Sequence, residues 1–239
     1  MTSKSTSDLA RRIANSAPDD VVDTELKTSE RVLARVTDGI YRQPGSALRE
    51  LISNAYDADA SRVVIQTDRP RFSSITVADD GAGMTPASLA HLLQNIGGSA
   101  KRRPEGAGLG ITSGTDALRS PGGRRLIGRI GIGLFSVSQL TQRFQITTKV
   151  EGDPFRTVAT IVMRQYGEAI DQNRGEDENY EAGRVKVWRE PASDIESHGT
   201  TITLDGIRPQ TRRTLQSDGV WSSIELAERD DEINSVPSP

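Results

Sequence analysis

Glu50-Leu51-Ile52-Ser53-Asn54-Ala55-Tyr56-Asp57-Ala58 is the stretch on which the reading of this chain turns. The spacing of its apolar residues predicts a helix from about Ser46 to Ala60, entered through the turn Gln43-Pro44-Gly45. At roughly 100° per residue, Glu50, Asn54 and Asp57 fall within about 60° of one another. Leu48, Leu51, Ile52 and Ala55 form a separate apolar stripe. One face is therefore expected to pack on a core, while another presents a carboxylate, an amide and a second carboxylate in a row. Taken alone, such a row is a solvated polar face. Chemistry can also use it. An amide oxygen suits a hard cation such as Mg²⁺, and a carboxylate one turn away can orient and deprotonate a water.

Working outward, Val63–Thr67 and Ser74–Ala78 are β-branched runs, joined by Arg69–Phe72 as a hairpin loop. Asp79-Asp80-Gly81-Ala82-Gly83-Met84 follows the second strand as a tight glycine turn. Its glycines permit positive φ and close approach of backbone to a flat ligand, and an Asp at a strand end can accept from an exocyclic amine. A calcium loop is excluded, because residues 85–90 lack its acidic ligands. Pro86–Asn95 reads as a helix with Thr85 as N-cap. The segment 96–127, rich in Gly, Ser, Arg and Pro, is a long loop of the kind that is either functional or disordered.

Next comes Gly128-Arg129-Ile130-Gly131-Ile132-Gly133, leading into a helical stretch Leu134–Leu140. Glycine N–H groups before a helix N-terminus make an anion site. No Gly-Lys-Ser/Thr follows, so this is not a Walker A loop, and the strand a dinucleotide fingerprint requires is missing. Strands are expected at Phe144–Val150, Thr157–Met163, Arg184–Glu190 and Thr200–Leu204, with Asp171–Glu181 as an exposed acidic loop. Towards the N-terminus, Ser29–Gly39 has a helical pattern, and Asp8–Ser16 a short one stopped by Pro18. Near the C-terminus, Ser222–Arg229 has helical character. Helices first, then strands with short antiparallel connections, argue for an α+β fold. The expected architecture is a two-layer sandwich with helices on one face of a mixed, mostly antiparallel sheet.

Composition narrows the field. The 239 residues carry a net charge of −3, with 34% hydrophobic, 26% charged and only 4% aromatic residues. An aliphatic core is expected, without a global basic field for nucleic acid. Cysteine is absent, which removes disulfides, thiolate metal sites and cysteine nucleophiles. Neither a signal peptide nor an apolar run long enough to span a membrane is visible, and a cytoplasmic setting is expected.

In this order, the four elements resemble the GHKL superfamily of ATPases: gyrase B subunits, ninety-kilodalton heat-shock chaperones, histidine kinases and MutL proteins, which share the Bergerat fold. Glu50–Ala58 looks like the N box, Asp79–Met84 like the first glycine box, Leu126–Ser136 like the second, and Gly199-Thr200 like the final strand motif. The resemblance runs from about Ser29 to Leu204. It implies ATP and Mg²⁺ as cofactors, Glu50 as general base for the attacking water, and Asn54 as the Mg²⁺ ligand. It implies Asp79 at the adenine amino group with Thr200 in support, and Gly81, Gly83 and Met84 around the adenine. Asp57 is expected in the pocket wall, Asn95 and Lys101 near ribose and phosphates, and Gly128, Gly131, Ile132 and Gly133 as donors to phosphate.

Glu50 favours hydrolysis over histidine-kinase phosphorelay, and Asn95–Lys101 lean towards the chaperone-like branch. The expected function is thus Mg²⁺-dependent ATP binding and slow hydrolysis, with closure of the lid 96–127 driving a conformational change. The alternatives are a regulatory module that binds ATP without turnover, or a MutL- or MORC-like ATPase domain in DNA transactions. Residues 1–27 are read as a polar lead-in, 28–208 as the ATP-binding domain, and 209–239 as an extension or linker. Related ATPases use a second domain to supply a Lys or Arg to the terminal phosphate, so weak turnover is expected of this chain alone. The partners implied are ATP and ADP, a homodimer formed through regions outside this chain, and an unidentified client, with neither membrane nor nucleic acid indicated.

Overall fold

The computed structural model describes residues 2–29, 44–95, 105–128, 136–164, 179–219 and 222. The described elements run α1 (Thr2–Asn15), β1 (Val22–Ser29), α2 (Pro44–Asp57), β2 (Val63–Thr67), β3 (Ser74–Asp79), α3 (Pro86–Gln94) and α4 (Glu105–Gly108). A 3-10 turn at Val137–Gln139 follows, then β4 (Arg143–Lys149), β5 (Phe155–Met163), β6 (Asn179–Pro191), β7 (Gly199–Asp205) and α5 (Pro209–Leu215).

The strands form one seven-stranded sheet in the order β1-β6-β5-β4-β7-β3-β2. Among the described residues every pairing is antiparallel, so the α+β sandwich expected from the sequence holds there without the parallel component of a mixed sheet. Side chains alternate across a pleated sheet, and the registers align two apolar rows on one face. Ile75, Leu204, Phe144, Ile161 and Val185 make one; Val77, Ile202, Ile146, Ala159, Val187 and Val22 make the other. These rows pack with Leu9 and Ile13 of α1, Ala47 and Leu51 of α2, and Leu89 and Leu93 of α3 into a single core. The helices thus lie on one face of the sheet, and the other face carries Gln66, Thr76, Thr203, Gln145 and Thr160 in a polar row.

Several expectations change. The segment expected as a polar lead-in builds α1 and most of β1. Leu9 and Ile13, one turn apart, are 3% and 0% exposed, and α1 packs chiefly on α3. Two apolar residues among polar ones read as a tail until a partner surface exists for them. The strand β1 was not expected, because its polar residues Asp23, Glu25 and Lys27 alternate with few strong apolar ones. It docks as an edge strand on β6, and Leu26 becomes fully buried. On α2 the core stripe is Ala47, Leu51 and Ala55; Ile52, expected in it, is 41% exposed. The acidic loop expected to Glu181 yields its last residues, Asn179–Glu181, to β6. The helix expected over Ser29–Gly39 lies outside the described residues except Ser29, which ends β1. The helix over Ser222–Arg229 likewise falls outside them except Ser222, and residues 171–178 do so entirely.

Candidate functional site

The same register that builds the apolar rows builds a polar one. One pleat beyond Val77 and Ile202, Asp79 stands opposite Thr200, and Thr200 opposite Thr148. The Thr148 and Thr200 hydroxyls lie 3.0 Å apart, and the Met84 N–H donates to Thr148 Oγ1 at 2.8 Å. Asp79 Oδ1 accepts from the Gly81 N–H at 2.9 Å and the Thr200 N–H at 3.3 Å. Its Oδ2 takes no hydrogen bond among the described residues. Burial raises the Asp79 carboxyl above the usual range. The two N–H donors act the other way, and the neighbouring Asp80 charge adds to the rise.

Close approach of backbones makes glycine necessary at two points. Gly83 has φ +71°, and a Cβ there would stand 1.9 Å from the Lys149 carbonyl oxygen. Gly199 has φ +128°, and its Cβ would meet the Asp79 carbonyl oxygen at 2.1 Å. The turn after β3 is thereby pressed between β4 and the start of β7.

The turn is also fastened to the end of α2. The Ala82 N–H donates to the Ala58 carbonyl at 2.8 Å. Asp80 accepts from the Ser61 N–H, the Ser61 hydroxyl and the Arg62 N–H at 2.6–2.8 Å. Hydrogen bonding to its ionised form holds the Asp80 carboxyl below the ordinary range. Glu50 and Asn54 are both half-buried, one turn apart on α2.

Asp57 is the last residue of α2. It is 3% exposed, and its two oxygens accept from the consecutive N–H groups of Ile127 and Gly128, each at 2.9 Å. Gly128 is buried at that contact. Asn95 closes α3: its side-chain amide donates to the His91 carbonyl at 3.1 Å and reaches Thr6 Oγ1 of α1 at 3.5 Å. The structure thus brings together Asp79, Gly81, Gly83, Met84 and Thr200 and ties them to α2, while Asn95 is engaged with α1. Lys101, Gly131, Ile132 and Gly133 lie outside the described residues.

Three participants escaped the sequence reading. Thr148 lies in an ordinary β-branched strand, and only its register sets it beside Thr200. His198 Nδ1 lies 2.8 Å from the Gly81 carbonyl oxygen. The buried Lys149 ammonium donates to the Val150, Ile195 and Ser197 carbonyls, which fixes the loop before β7. These residues line a polar cleft of about 380 Å³ with Asp79, Ser193 and Asp194. Nothing local in the sequence marks such pairings, because, the Lys149–Val150 contact aside, they join residues at least 46 positions apart.

A family model described as "Histidine kinase-, DNA gyrase B-, and HSP90-like ATPase" matches residues 41–185, more than half of the chain, and the chain belongs to that family. Among curated proteins, it is 32% identical over 133 residues to the DNA mismatch repair protein MutL of Bradyrhizobium diazoefficiens, covering 55% of this chain and 19% of that protein. It is 41% identical over 66 residues to MutL of Rhizorhabdus wittichii, covering 27% of this chain and 11% of that protein. To MutL of Bradyrhizobium sp. ORS 278 it is 45% identical over 62 residues, or 26% and 10% of the two. The matched stretches span less than a fifth of these relatives. Their names point to mismatch repair, so the chaperone-like lean of the sequence gains no support from them, and the MutL-like alternative fits about as well.

Proposed function

We propose that this chain is an Mg²⁺-dependent ATP-binding and ATP-hydrolysing module of the MutL-like kind. The observation that carries the proposal is the Asp79 carboxylate. Two backbone donors fix its Oδ1, and Oδ2 remains as an acceptor at a strand end walled by Gly81, Gly83, Met84 and Thr200. An acceptor so oriented suits the amino group of adenine. Asn54 and Glu50 offer an amide and a carboxylate oxygen on one helical face. Among the described residues no three carboxylates or imidazoles gather into a metal cage. That donor set fits Mg²⁺, which is held by one or two side chains together with substrate phosphates. Bound there, Mg²⁺ would neutralise developing phosphate charge.

The chemistry assigned to this chain is general base catalysis. Glu50 orients a water and takes its proton as the water oxygen attacks the terminal phosphorus, and the bond to the leaving ADP oxygen breaks. The segment 96–127 serves as the lid that excludes water from this step. Residues 28–208 form the functional unit, with α1 and β1 completing its core.

Hydrolysis and ATP affinity measured on wild type and Glu50→Ala test the proposal. Turnover is expected to fall by about 10²–10⁴-fold, the usual worth of a general base, with ATP affinity retained. If the variant keeps its turnover, Glu50 is not the base. If wild type binds ATP without any Glu50-dependent hydrolysis, the module is regulatory.

A further inference from the structure

We infer that Asp57 is a positioning residue: its carboxylate holds the backbone at Ile127–Gly128 in register with the helix that carries Glu50 and Asn54. This rests on the ATP reading above and gives Asp57 a different task from that of a pocket wall. Both Asp57 oxygens face protein N–H groups at 2.9 Å, and the residue is 3% exposed. Two consecutive backbone N–H groups can bind an anion. Here a carboxylate of the chain itself takes that pair at the point where the glycine run 128–133 begins.

A second attachment lies two residues on. Asp59 accepts from the Ser120 hydroxyl at 2.5 Å and the Gly122 N–H at 2.7 Å. Arg124 donates to the Ala60 carbonyl at 2.6 Å and lies over the Tyr56 ring, 5.2 Å from its centroid. The returning half of the loop, residues 113–128, is thereby stapled to the C-terminal end of α2 at two carboxylates. A movement of α2 carries this leg with it. The backbone feeding the glycine run therefore stays aligned with Glu50 and Asn54. Asp57 influences the phosphate end of a nucleotide through that backbone, and it leaves the adenine end to Asp79.

Calorimetric titration of wild type and Asp57→Asn with the imido analogue of ATP, and separately with adenosine, tests this. Asparagine keeps the shape but turns one donor towards a donor. Affinity for the triphosphate analogue is expected to drop about tenfold or more, as for loss of a charge-assisted hydrogen bond, with adenosine binding unchanged. Equal losses for both ligands would put the Asp57 carboxylate in the adenine pocket and overturn the inference, and so would no loss for either.

Amide hydrogen exchange on nucleotide-free wild type keeps the inference testable should Asp57→Asn fail to fold. Slow exchange at Ile127 and Gly128 is expected; exchange at the rate of an open loop would refute the staple. A wild-type chain that binds neither ligand would refute the nucleotide reading instead, while the exchange result would still decide whether the staple exists.

Discussion

Asp79 is a half-buried acid whose ionised form is disfavoured by its surroundings. Because burial raises its folded pKa above the unfolded value, the native state holds that proton more tightly. Its contribution to stability is full below the unfolded pKa and is lost as pH rises through the folded one. Ligand binding runs the other way, since an amino group needs the carboxylate as acceptor. Nucleotide affinity is therefore expected to fall on acidification at a higher pH than an ordinary aspartate would give, as read by titration calorimetry across pH. In Asp79→Asn the Oδ1 contacts to the Gly81 and Thr200 N–H groups survive, so the fold should persist. The second acceptor becomes a donor, so affinity should drop and its dependence on acid should vanish. Retention of both wild-type affinity and pH dependence in that variant would remove Asp79 from the site.

Among elements, the turn after β3 depends on its neighbours more than on its own sequence. Gly199 opens β7 with φ +128°, with no room for a Cβ beside the Asp79 carbonyl. Gly199→Ala is expected to cost at least about 1–2 kcal/mol from backbone strain alone, before the clash is counted. A urea denaturation midpoint close to wild type would contradict this. The helix α3 shows the opposite case, where local signals suffice. Thr85 caps it, accepting from the Ser88 N–H at 3.1 Å, and Pro86 occupies the first turn, as its sequence requires. The hairpin β2–β3 was legible for the same reason: two β-branched runs and a short loop define it without tertiary help.

For the whole molecule, the informative feature is the N-terminal segment. The α1 helix covers one end of the sheet, and Arg189 fastens it there. The Arg189 guanidinium donates to both Asp153 oxygens at 2.7 Å and to the Ala14 carbonyl at 3.2 Å. Ile13 is fully buried in the common core. Ile13→Ala is expected to destabilise the whole domain by about 2–5 kcal/mol, as deletion of a core aliphatic side chain does. Chemical denaturation followed by far-UV circular dichroism measures it. An effect within about 0.5 kcal/mol, the range of surface substitutions, would show α1 to be a dispensable appendage.

The sequence by itself determined the α+β class, most of the strands, the helix bearing Glu50, Asn54 and Asp57, and the glycine turn after β3. Those features follow from periodicity, capping and turn chemistry, all of which act over a few residues. Only the tertiary structure decided that α1 and β1 belong to the core and that Thr148 stands beside Thr200. It alone turned Asp57 towards the backbone of Ile127 and Gly128. These outcomes depend on strand register and on surfaces brought together from distant parts of the chain. A carboxylate on a helix face has the same local sequence whether it meets a ligand or a loop, and only packing chooses between them.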